Sequence, residues 1–172
     1  MRKHIVLVGL PGAGKSTVGR LVAERLGASF FDTDGMIVRK MQMPIARIIG
    51  EHGELKFRDM ERQAMAQALN GPPAVISPGG GWVAQPGALE SAQANSYLVY
   101  LKTMVLTAAK RAGGEGTRPL LVGEDPVEKM RTLLKEREPF YIKANAEVKG
   151  DIKTAPQLAD EIVALAKQNA GW

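Results

Sequence analysis

The stretch GLPGAGKS, Gly9 to Ser16, follows the apolar run HIVLV (4–8) and precedes a helical pattern with one apolar face. That face is formed by Val18, Leu21, Val22 and Leu26. The stretch matches the G-x-x-x-x-G-K-S phosphate-loop pattern in the strand, loop and helix context that the pattern requires. Its glycines let successive N–H groups face one anion, and the helix N-terminus adds its dipole there. We therefore predict a nucleoside triphosphate site rather than an accidental glycine turn. Lys15 is expected to neutralise the β- and γ-phosphates, and the Ser16 hydroxyl to coordinate Mg²⁺.

Short apolar runs alternate with helix-length segments along the rest of the chain. The further runs are SFF (29–31), AVIS (74–77), SYLVYL (96–101) and AEV (146–148). This alternation predicts βαβ units and an α/β fold with a parallel sheet covered by helices on both faces. The 172 residues fit one domain, 1–172.

One insertion interrupts this alternation between a helix around 103–111 and another that starts near Pro126. It reads AGGEGTRPLLVGEDP (112–126) and is rich in glycine and proline. A segment of this length without structure of its own is typical of a functional lid or of a disordered loop. Arg118 lies in it, and we leave open an arginine finger that closes over the phosphates or an ordinary surface arginine.

The composition is that of a soluble globular protein, with 45% hydrophobic and 24% charged residues. No apolar run approaches the roughly 18 residues of a membrane span, so no membrane role is expected. The net charge of +5 permits attraction to anions, but the basic residues are scattered and aromatic residues make up 5%, which disfavours a nucleic-acid surface. The absence of cysteine excludes a disulfide scaffold and a thiolate metal site, and is compatible with the cytoplasm.

Two aspartates follow the second apolar run in FFDTD, at the strand end where doubly wound sheets place their sites. Asp32 is expected to act on the magnesium shell. Asp34 is expected to accept a hydrogen bond from a substrate hydroxyl and to orient or deprotonate it. For either residue, a cap on the next helix is the open alternative.

The segment from about 53 to 70 predicts a helix with an unusual charge on its apolar face. The apolar stripe comprises Phe57, Met60, Ala64, Met65 and Ala68. Glu61 falls inside the stripe and Arg58 lies at its margin. A surface pair between Glu54 and Arg58 would explain Glu54 but not Glu61. We therefore expect Glu61 to hold Arg58 from the core side.

A second arginine is expected to turn inward on the helix that begins near Val127. Its apolar stripe comprises Val127, Met130, Leu133 and Leu134. Arg137 falls within this stripe, shortly before Pro139, which is expected to end or kink the helix. A side chain that snorkels to water is the alternative for Arg137. Two inward arginines together with Asp34 indicate a small hydroxy acid as the phosphoryl acceptor. The planar guanidinium matches a carboxylate in bidentate fashion, and Asp34 suits a hydroxyl.

Three consecutive glycines in VISPGGGWV (75–83) follow the third apolar run. A turn that needs positive φ would explain them, since glycine is the default residue there. Their place at the carboxyl rim of the sheet favours a different role, in which missing Cβ atoms let backbone approach a ligand. We expect Gly79, Gly80 and Gly81 to offer N–H groups to the acceptor.

Together, these motifs resemble the shikimate kinase family. The matching stretches are GLPGAGKST, DTD, GE followed by FRDME, GGG, TRPLL and REPFY, in the family's order and spacing over nearly the whole chain. Ser77-Pro78 stands where the family often has Ala-Thr, and the lid reads GGEG where more charge is expected. The resemblance implies a P-loop kinase fold: a three-layer α/β/α domain with a five-stranded parallel sheet of order 2-3-1-4-5, an acceptor-binding segment at about 33–61 and a lid at about 112–125.

The resemblance also implies an activity and a set of site residues. The activity is ATP-dependent phosphorylation of the 3-hydroxyl of shikimate, giving shikimate 3-phosphate and ADP in aromatic amino acid biosynthesis, by a cytoplasmic monomer. The nucleotide-binding set is Gly12, Ala13, Gly14, Lys15, Ser16, Thr17, Arg111 and Arg118. The acceptor-binding set is Asp34, Arg58, Glu61, Gly79, Gly80, Gly81 and Arg137. Lys15, Asp34 and Arg118 are the expected catalytic residues, and Ser16 and Asp32 the Mg²⁺ ligands.

Two other functions remain open on the sequence. Another small-molecule kinase of the same fold, such as gluconate kinase or a nucleoside monophosphate kinase, would also use the phosphate loop. An ATP-binding regulatory module is the second, but it leaves Glu61, Arg137 and Arg118 without a task.

Overall fold

The structure, a computed structural model, describes residues 1–114 and 125–172. The described part contains one five-stranded parallel sheet in the order β2-β3-β1-β4-β5, which confirms the predicted order. The strands are β1 (His4–Val8), β2 (Phe30–Asp32), β3 (Val75–Ser77), β4 (Ser96–Lys102) and β5 (Ala146–Lys149). Each strand begins within one residue of the predicted apolar run.

Helices connect the strands and cover the sheet. They are α1 (Lys15–Leu26), α2 (Thr33–Met41), α3 (Ile45–His52), α4 (Glu54–Leu69), α5 (Ala88–Gln93), α6 (Val105–Gly114), α7 (Pro126–Tyr141) and α8 (Ala155–Asn169), with a 3₁₀ turn at Trp82–Ala84. None of these helices is long and apolar enough to cross a membrane within the described ranges.

The central strand β1 contributes side chains to two hydrophobic cores, one on each face of the sheet. Ile5 and Leu7 pack in the core that contains α1 and α8, whereas Val6 and Val8 pack in the core that contains α4 to α7. Because successive strand side chains point to opposite faces, a strand that is apolar from Ile5 to Val8 requires helices on both sides. The predicted three-layer α/β/α architecture is therefore confirmed. A smaller cluster joins α2, α3 and α4 through Ile37, Ile48, Phe57 and Ala64.

Helix α7 does not end at Pro139. Proline removes the hydrogen bond that its own N–H would have made, but the helix continues to Tyr141, and the Ile142 N–H donates to the Glu138 carbonyl at 3.0 Å. Burial of Tyr141 in the core offsets the lost bond. Of the two effects expected at Pro139, an end or a kink, the end of the helix was wrong for this reason.

The predicted lid (112–125) overlaps the described part only at its ends. Helix α6 runs to Gly114, three residues beyond the predicted end at 111, and Asp125 caps α7 by accepting from the Val127 N–H at 2.9 Å. Arg118 and the rest of the lid lie outside the described residues.

Candidate active site

The loops that follow β1, β2 and β3 meet at the carboxyl edge of the sheet. Because these strands are parallel neighbours, their carboxyl ends lie side by side. The phosphate loop follows β1, and the three glycines follow β3. Strand β2 ends at Asp32 and leads directly into the first turn of α2, which carries Asp34. The fold thus brings together residues that are far apart in the sequence.

The phosphate loop has the backbone that its glycines predict. Gly12 adopts a φ of 78°, and a Cβ there would lie 2.4 Å from the Ala108 carbonyl oxygen. Lys15 is 7% exposed, and its Nζ donates to the Gly9 and Leu10 carbonyls at 2.9 and 2.8 Å. The loop therefore holds an ammonium group at the N-terminus of α1, where an anion would bind.

Asp32 caps the next helix, as one of its two open readings predicts, and it also contacts Ser16. Its Oδ1 accepts from the Gly35 N–H at 3.4 Å and caps α2, while its Oδ2 accepts from the Ser16 hydroxyl at 3.0 Å. One carboxylate thereby joins the end of β2 to the first turn of α1.

A cavity of about 300 Å³ lies over the phosphate loop. Its lining includes every predicted nucleotide-binding residue that the structure describes: Gly12, Ala13, Gly14, Lys15, Ser16, Thr17 and Arg111. Lys153 and Leu158 line the same cavity, and sequence reasoning gave neither of them a role. Lys153 is itself paired with Glu161 on α8.

A second cleft lies beside this cavity, and the predicted acceptor residues line it together: Asp34, Arg58, Glu61, Gly79, Gly80, Gly81 and Arg137. Sequence reasoning missed the apolar part of the lining, which includes Pro11, Ile45, Ile49 and Phe57. Asp34, in the first turn of α2, borders both spaces. The carboxylate therefore stands where a nucleotide and a second substrate would meet.

The fork of Arg58 is held between two carboxylates on its own helix. Its Nη1 donates to Glu61 Oε2 and its Nη2 to Glu54 Oε1, both at 3.1 Å. The Glu61 side chain is 2% exposed and that of Glu54 is 58% exposed. The prediction that Glu61 holds Arg58 from the core side is confirmed, and the surface pair with Glu54 exists as well.

Glu61 sits in a mixed electrostatic environment. Burial raises the pKa of its carboxyl, and the nearby charge of Asp34 adds to this, whereas Arg58 and Arg137 oppose it. Gln85 donates its Nε2 to the same Oε2 at 2.8 Å. Sequence reasoning missed Gln85, because it lies in a short turn where no periodicity indicates burial.

Arg137 is turned inward and is 6% exposed, so the snorkelling alternative does not describe it. Cβ atoms built at Gly80 and Gly81 would lie 3.0 Å from its Nη1 and Nη2, respectively. The guanidinium therefore lies close to the glycine loop and lines the second cleft.

The three glycines are required for space rather than for backbone conformation. None of them adopts a positive φ. A Cβ at Gly79 would lie 2.5 Å from Glu61 Oε1, and one at Gly81 would lie 2.4 Å from Arg58 Nη1. The missing Cβ atoms thus admit the protein's own charged side chains.

The expectation about the N–H groups of this loop needs one correction. The Gly79 N–H donates to Thr33 Oγ1 at 3.2 Å, so it is already engaged inside the protein. The Gly80 carbonyl accepts from the Tyr141 hydroxyl at 2.8 Å. These bonds tie the loop to α2 on one side and to α7 on the other.

The structure shows no ready-made cage for a metal ion. No group of three or more histidine, aspartate or glutamate side chains is suitably placed for a metal within residues 1–114 and 125–172. The Ser16 and Asp32 oxygens are hard ligands at the phosphate cavity, of the kind that Mg²⁺ prefers. Magnesium commonly takes only one or two protein ligands and completes its shell with phosphate oxygens and water, so this pair fits it.

Comparison with known proteins agrees with this geometry. The family model for shikimate kinase matches residues 11–167. Shikimate kinase from Mycobacterium avium (strain 104) is 45% identical over 144 residues, which are 84% of this chain and 81% of that protein. The structure of shikimate kinase from Acinetobacter baumannii in complex with shikimate is 36% identical and superposes with a TM-score of 0.93, over 98% of this chain and 95% of that one.

The fold extends to other kinases. A gluconokinase from Sinorhizobium meliloti superposes with a TM-score of 0.66 at 19% identity, over 99% of this chain and 94% of that one. This likeness reflects a common fold and does not support gluconate as the acceptor. The match to the family model, together with the curated relative, settles the family: this chain belongs to the shikimate kinase family.

Proposed function

We propose that this protein transfers the γ-phosphoryl group of ATP to the 3-hydroxyl of shikimate, giving shikimate 3-phosphate and ADP. The observation that carries the proposal is that Asp34 borders both the cavity over the phosphate loop and the second cleft, which Arg58 and Arg137 line. Family membership, and the shikimate bound in the Acinetobacter relative, support the identity of the acceptor.

The nucleotide half of the site rests on the phosphate loop. Lys15 would leave its backbone carbonyl partners to contact the β- and γ-phosphates. Ser16 and Asp32 would hold Mg²⁺, which when bound neutralises charge on the phosphates. Arg111 lines the same cavity and would add a cation beside the nucleotide. Arg118 keeps its predicted role at the phosphates as part of the proposal.

The acceptor half rests on charge and shape. Arg137 and Arg58 would bind the shikimate carboxylate, because a planar guanidinium pairs with it in bidentate fashion. Asp34 would accept a hydrogen bond from the reacting hydroxyl and thereby orient the hydroxyl oxygen toward the γ-phosphate. Phosphoryl transfer depends mainly on such positioning and on charge neutralisation, so few covalent steps are left for the protein to perform.

A coupled assay of ADP release tests the activity. We expect turnover with shikimate and at most background turnover with gluconate or AMP. Lys15→Ala should abolish transfer while shikimate still binds, because Lys15 lies on the nucleotide side. Equal turnover with gluconate would contradict the proposed acceptor, and no turnover with any of the three would favour a regulatory module.

Replacing Arg137 tests the acceptor half separately. Arg137→Ala should weaken shikimate binding roughly thirtyfold or more, as expected when one partner of a buried charge pair is removed, with ATP affinity nearly unchanged. Calorimetric titration of both ligands measures this. Arg131→Ala is the matched control, because Arg131 lies on the same helix and forms an exposed ion pair with Glu128 at 3.5 Å. Unchanged shikimate affinity in Arg137→Ala would contradict the assignment.

The proposal extends to the state of the enzyme in the cell. We infer a single-domain cytoplasmic monomer that acts on small molecules, with no nucleic-acid or membrane partner. Sedimentation equilibrium at working concentrations tests the monomer, and a stable dimer would contradict it.

A further inference from the structure

Gln85 is a buried polar residue that the site described above leaves without a role. It follows the 3₁₀ turn at Trp82–Ala84, directly downstream of the three glycines, and is 9% exposed. Its N–H donates to the Trp82 carbonyl at 3.0 Å, and its carbonyl accepts from the Ala88 N–H at 3.1 Å. The side chain therefore extends from a backbone that is held on both sides.

The amide of Gln85 contacts the carboxylate that holds Arg58. Glu61 Oε2 accepts from Gln85 Nε2 at 2.8 Å and from Arg58 Nη1 at 3.1 Å. The two donors come from different elements, one from α4 itself and one from the turn after the glycine loop. Two donors on one oxygen restrict rotation of the carboxylate, and that rotation would otherwise move Arg58.

The oxygen of the same amide indicates that the contact with Glu61 determines the orientation of the Gln85 side chain. Gln85 Oε1 is buried and has no hydrogen-bond partner within the part of the chain that the structure describes. A buried acceptor without a donor is unfavourable, so packing by itself would not select this arrangement. Turning the amide over would place Oε1 against an ionised Glu61, acceptor against acceptor.

We propose that Gln85 is a positioning residue for acceptor binding, which holds the Glu61 carboxylate in the orientation that presents Arg58 to the second cleft. The inference rests on the proposed function of that cleft. Gln85 is not part of the cleft lining, so it acts through Glu61 and not by touching the acceptor.

The charged groups around Glu61 explain why an uncharged donor is useful. Glu61 faces Arg58 from its own helix, Asp34 from α2 and Arg137 from α7. Burial and the charge of Asp34 raise the pKa of Glu61, whereas the charges of Arg58 and Arg137 and the hydrogen bond from Arg58 lower it. A hydrogen bond donated by Gln85 to the same carboxylate also favours the ionised form. A third arginine would compete for the acceptor carboxylate, but an amide adds a donor without adding charge.

The first test is Gln85→Met, which keeps length and approximate volume but removes the amide. We expect the KM for shikimate to rise about tenfold, the size expected for losing a hydrogen bond to a charged group, while the KM for ATP stays within about twofold of wild type. Ser91→Ala is the control, because it removes a nearby hydrogen bond, to the Ala88 carbonyl at 2.7 Å, that does not involve Glu61. Gln85→Asn, whose amide is one methylene too short to reach Glu61, should behave like Gln85→Met and serves if the methionine variant does not fold.

A double-mutant cycle separates positioning from a general loss of structure. In a Glu61→Gln background, adding Gln85→Met should leave the KM for shikimate unchanged, because Gln85 acts through the Glu61 carboxylate. Independent effects of the two substitutions, or an unchanged KM in both Gln85 variants, would overturn the inference.

A ligand-free measurement keeps this inference distinct from the proposed function. Carboxyl ¹³C NMR should show Glu61 titrating at higher pH in Gln85→Met than in wild type, whatever the acceptor is. If wild type fails to phosphorylate shikimate, the proposed function fails and the titration still decides whether Gln85 controls Glu61. An unchanged titration would overturn the inference even in an enzyme that is active on shikimate.

Discussion

At the scale of single residues, the two kinds of glycine in this chain are required for different physical reasons. Gly81 has an ordinary φ of −91° but lies against two guanidinium groups. Gly27, which ends α1, has a φ of 63°, and a Cβ added there would meet nothing within 4 Å. The first is constrained by space and the second by backbone conformation. Alanine should therefore change acceptor binding at Gly81 and stability at Gly27.

Gly81→Ala should impair acceptor binding while leaving the fold intact. The new Cβ would lie 2.4 Å from Arg58 Nη1 and 3.0 Å from Arg137 Nη2. Both atoms end long, flexible side chains that can move away, so the cost falls on their alignment and not on the backbone. We expect the KM for shikimate to rise roughly tenfold or more, because a displaced arginine loses charge-assisted hydrogen bonds. Initial rates and a thermal melt measure the two effects.

Gly27→Ala is the matched comparison for that variant. An L-residue in the left-handed region costs about 1–2 kcal/mol, so this variant should be less stable in urea while its KM for shikimate stays at the wild-type value. A Gly81→Ala protein with normal KM and reduced stability would contradict the conclusion that position 81 requires glycine for lack of space.

At the scale of elements, the last turn of α7 serves the site from two directions. Arg137 and Tyr141 are four positions apart and therefore lie on one face. Arg137 borders the second cleft, and the Tyr141 hydroxyl donates to the Gly80 carbonyl at 2.8 Å. Tyr141 also stacks on Tyr100 at 5.1 Å, and the Tyr100 hydroxyl returns to α7 by donating to Glu138 Oε2 at 3.1 Å. The REPFY motif thus supplies a cleft-lining arginine and a support for the glycine loop.

Tyr141→Phe should destabilise the protein by about 1–3 kcal/mol, because it removes the donor from a buried carbonyl. The ring contact with Tyr100 is kept, so the loss reflects the hydroxyl. Urea unfolding measures it. Tyr97→Phe is the control, since the Tyr97 hydroxyl makes no hydrogen bond to the described residues and its ring is only half-buried. Equal losses in both variants would contradict a specific role for the bond to Gly80.

At the scale of the whole molecule, His4 joins three parts of the fold. It begins β1 and is 3% exposed. Its Nδ1 accepts from the Ala74 N–H at 3.2 Å, just before β3, and its Nε2 donates to the Leu69 carbonyl at 3.1 Å, at the end of α4. These bonds require the neutral ring. Burial lowers the pKa of His4, and the bond to the Leu69 carbonyl opposes this only in part.

The protein should therefore lose stability as the pH falls below the pKa of an ordinary histidine. The unfolded chain binds the His4 proton near pH 6.5, about the usual histidine value, whereas the folded protein binds it at lower pH. Between these two values the unfolded state holds more protons, so the free energy of unfolding decreases with falling pH by up to about 1.4 kcal/mol per pH unit. Above the unfolded pKa this contribution is fully present.

Urea unfolding from pH 8 to pH 5 measures the slope. His4→Gln should show a shallower decrease than wild type, and His52→Gln, which changes an exposed histidine, should follow wild type. The same slope in all three proteins would contradict a role for His4.

Much of this protein follows from its sequence, because the relevant signals are local. The phosphate loop is a contiguous pattern, the apolar runs mark the strands, and helical periodicity places Glu61 and Arg137 on buried faces. The strand order and the membership of the two residue sets came from the resemblance to a family, and the structure agrees with the order and brings the described members of each set together.

What periodicity cannot state is which group a buried side chain faces. Gln85 meets Glu61 from 24 positions away, and Tyr141 meets Gly80 from 61 positions away, and neither contact has a local signature. The same limit explains the glycine loop, whose missing Cβ atoms admit Glu61, Arg58 and Arg137 instead of meeting a turn requirement. The sequence by itself determined the nucleotide loop, the layers and the inward charges, since each depends on neighbours along the chain. Only the tertiary structure decided how those charges are held, because that depends on distances between elements.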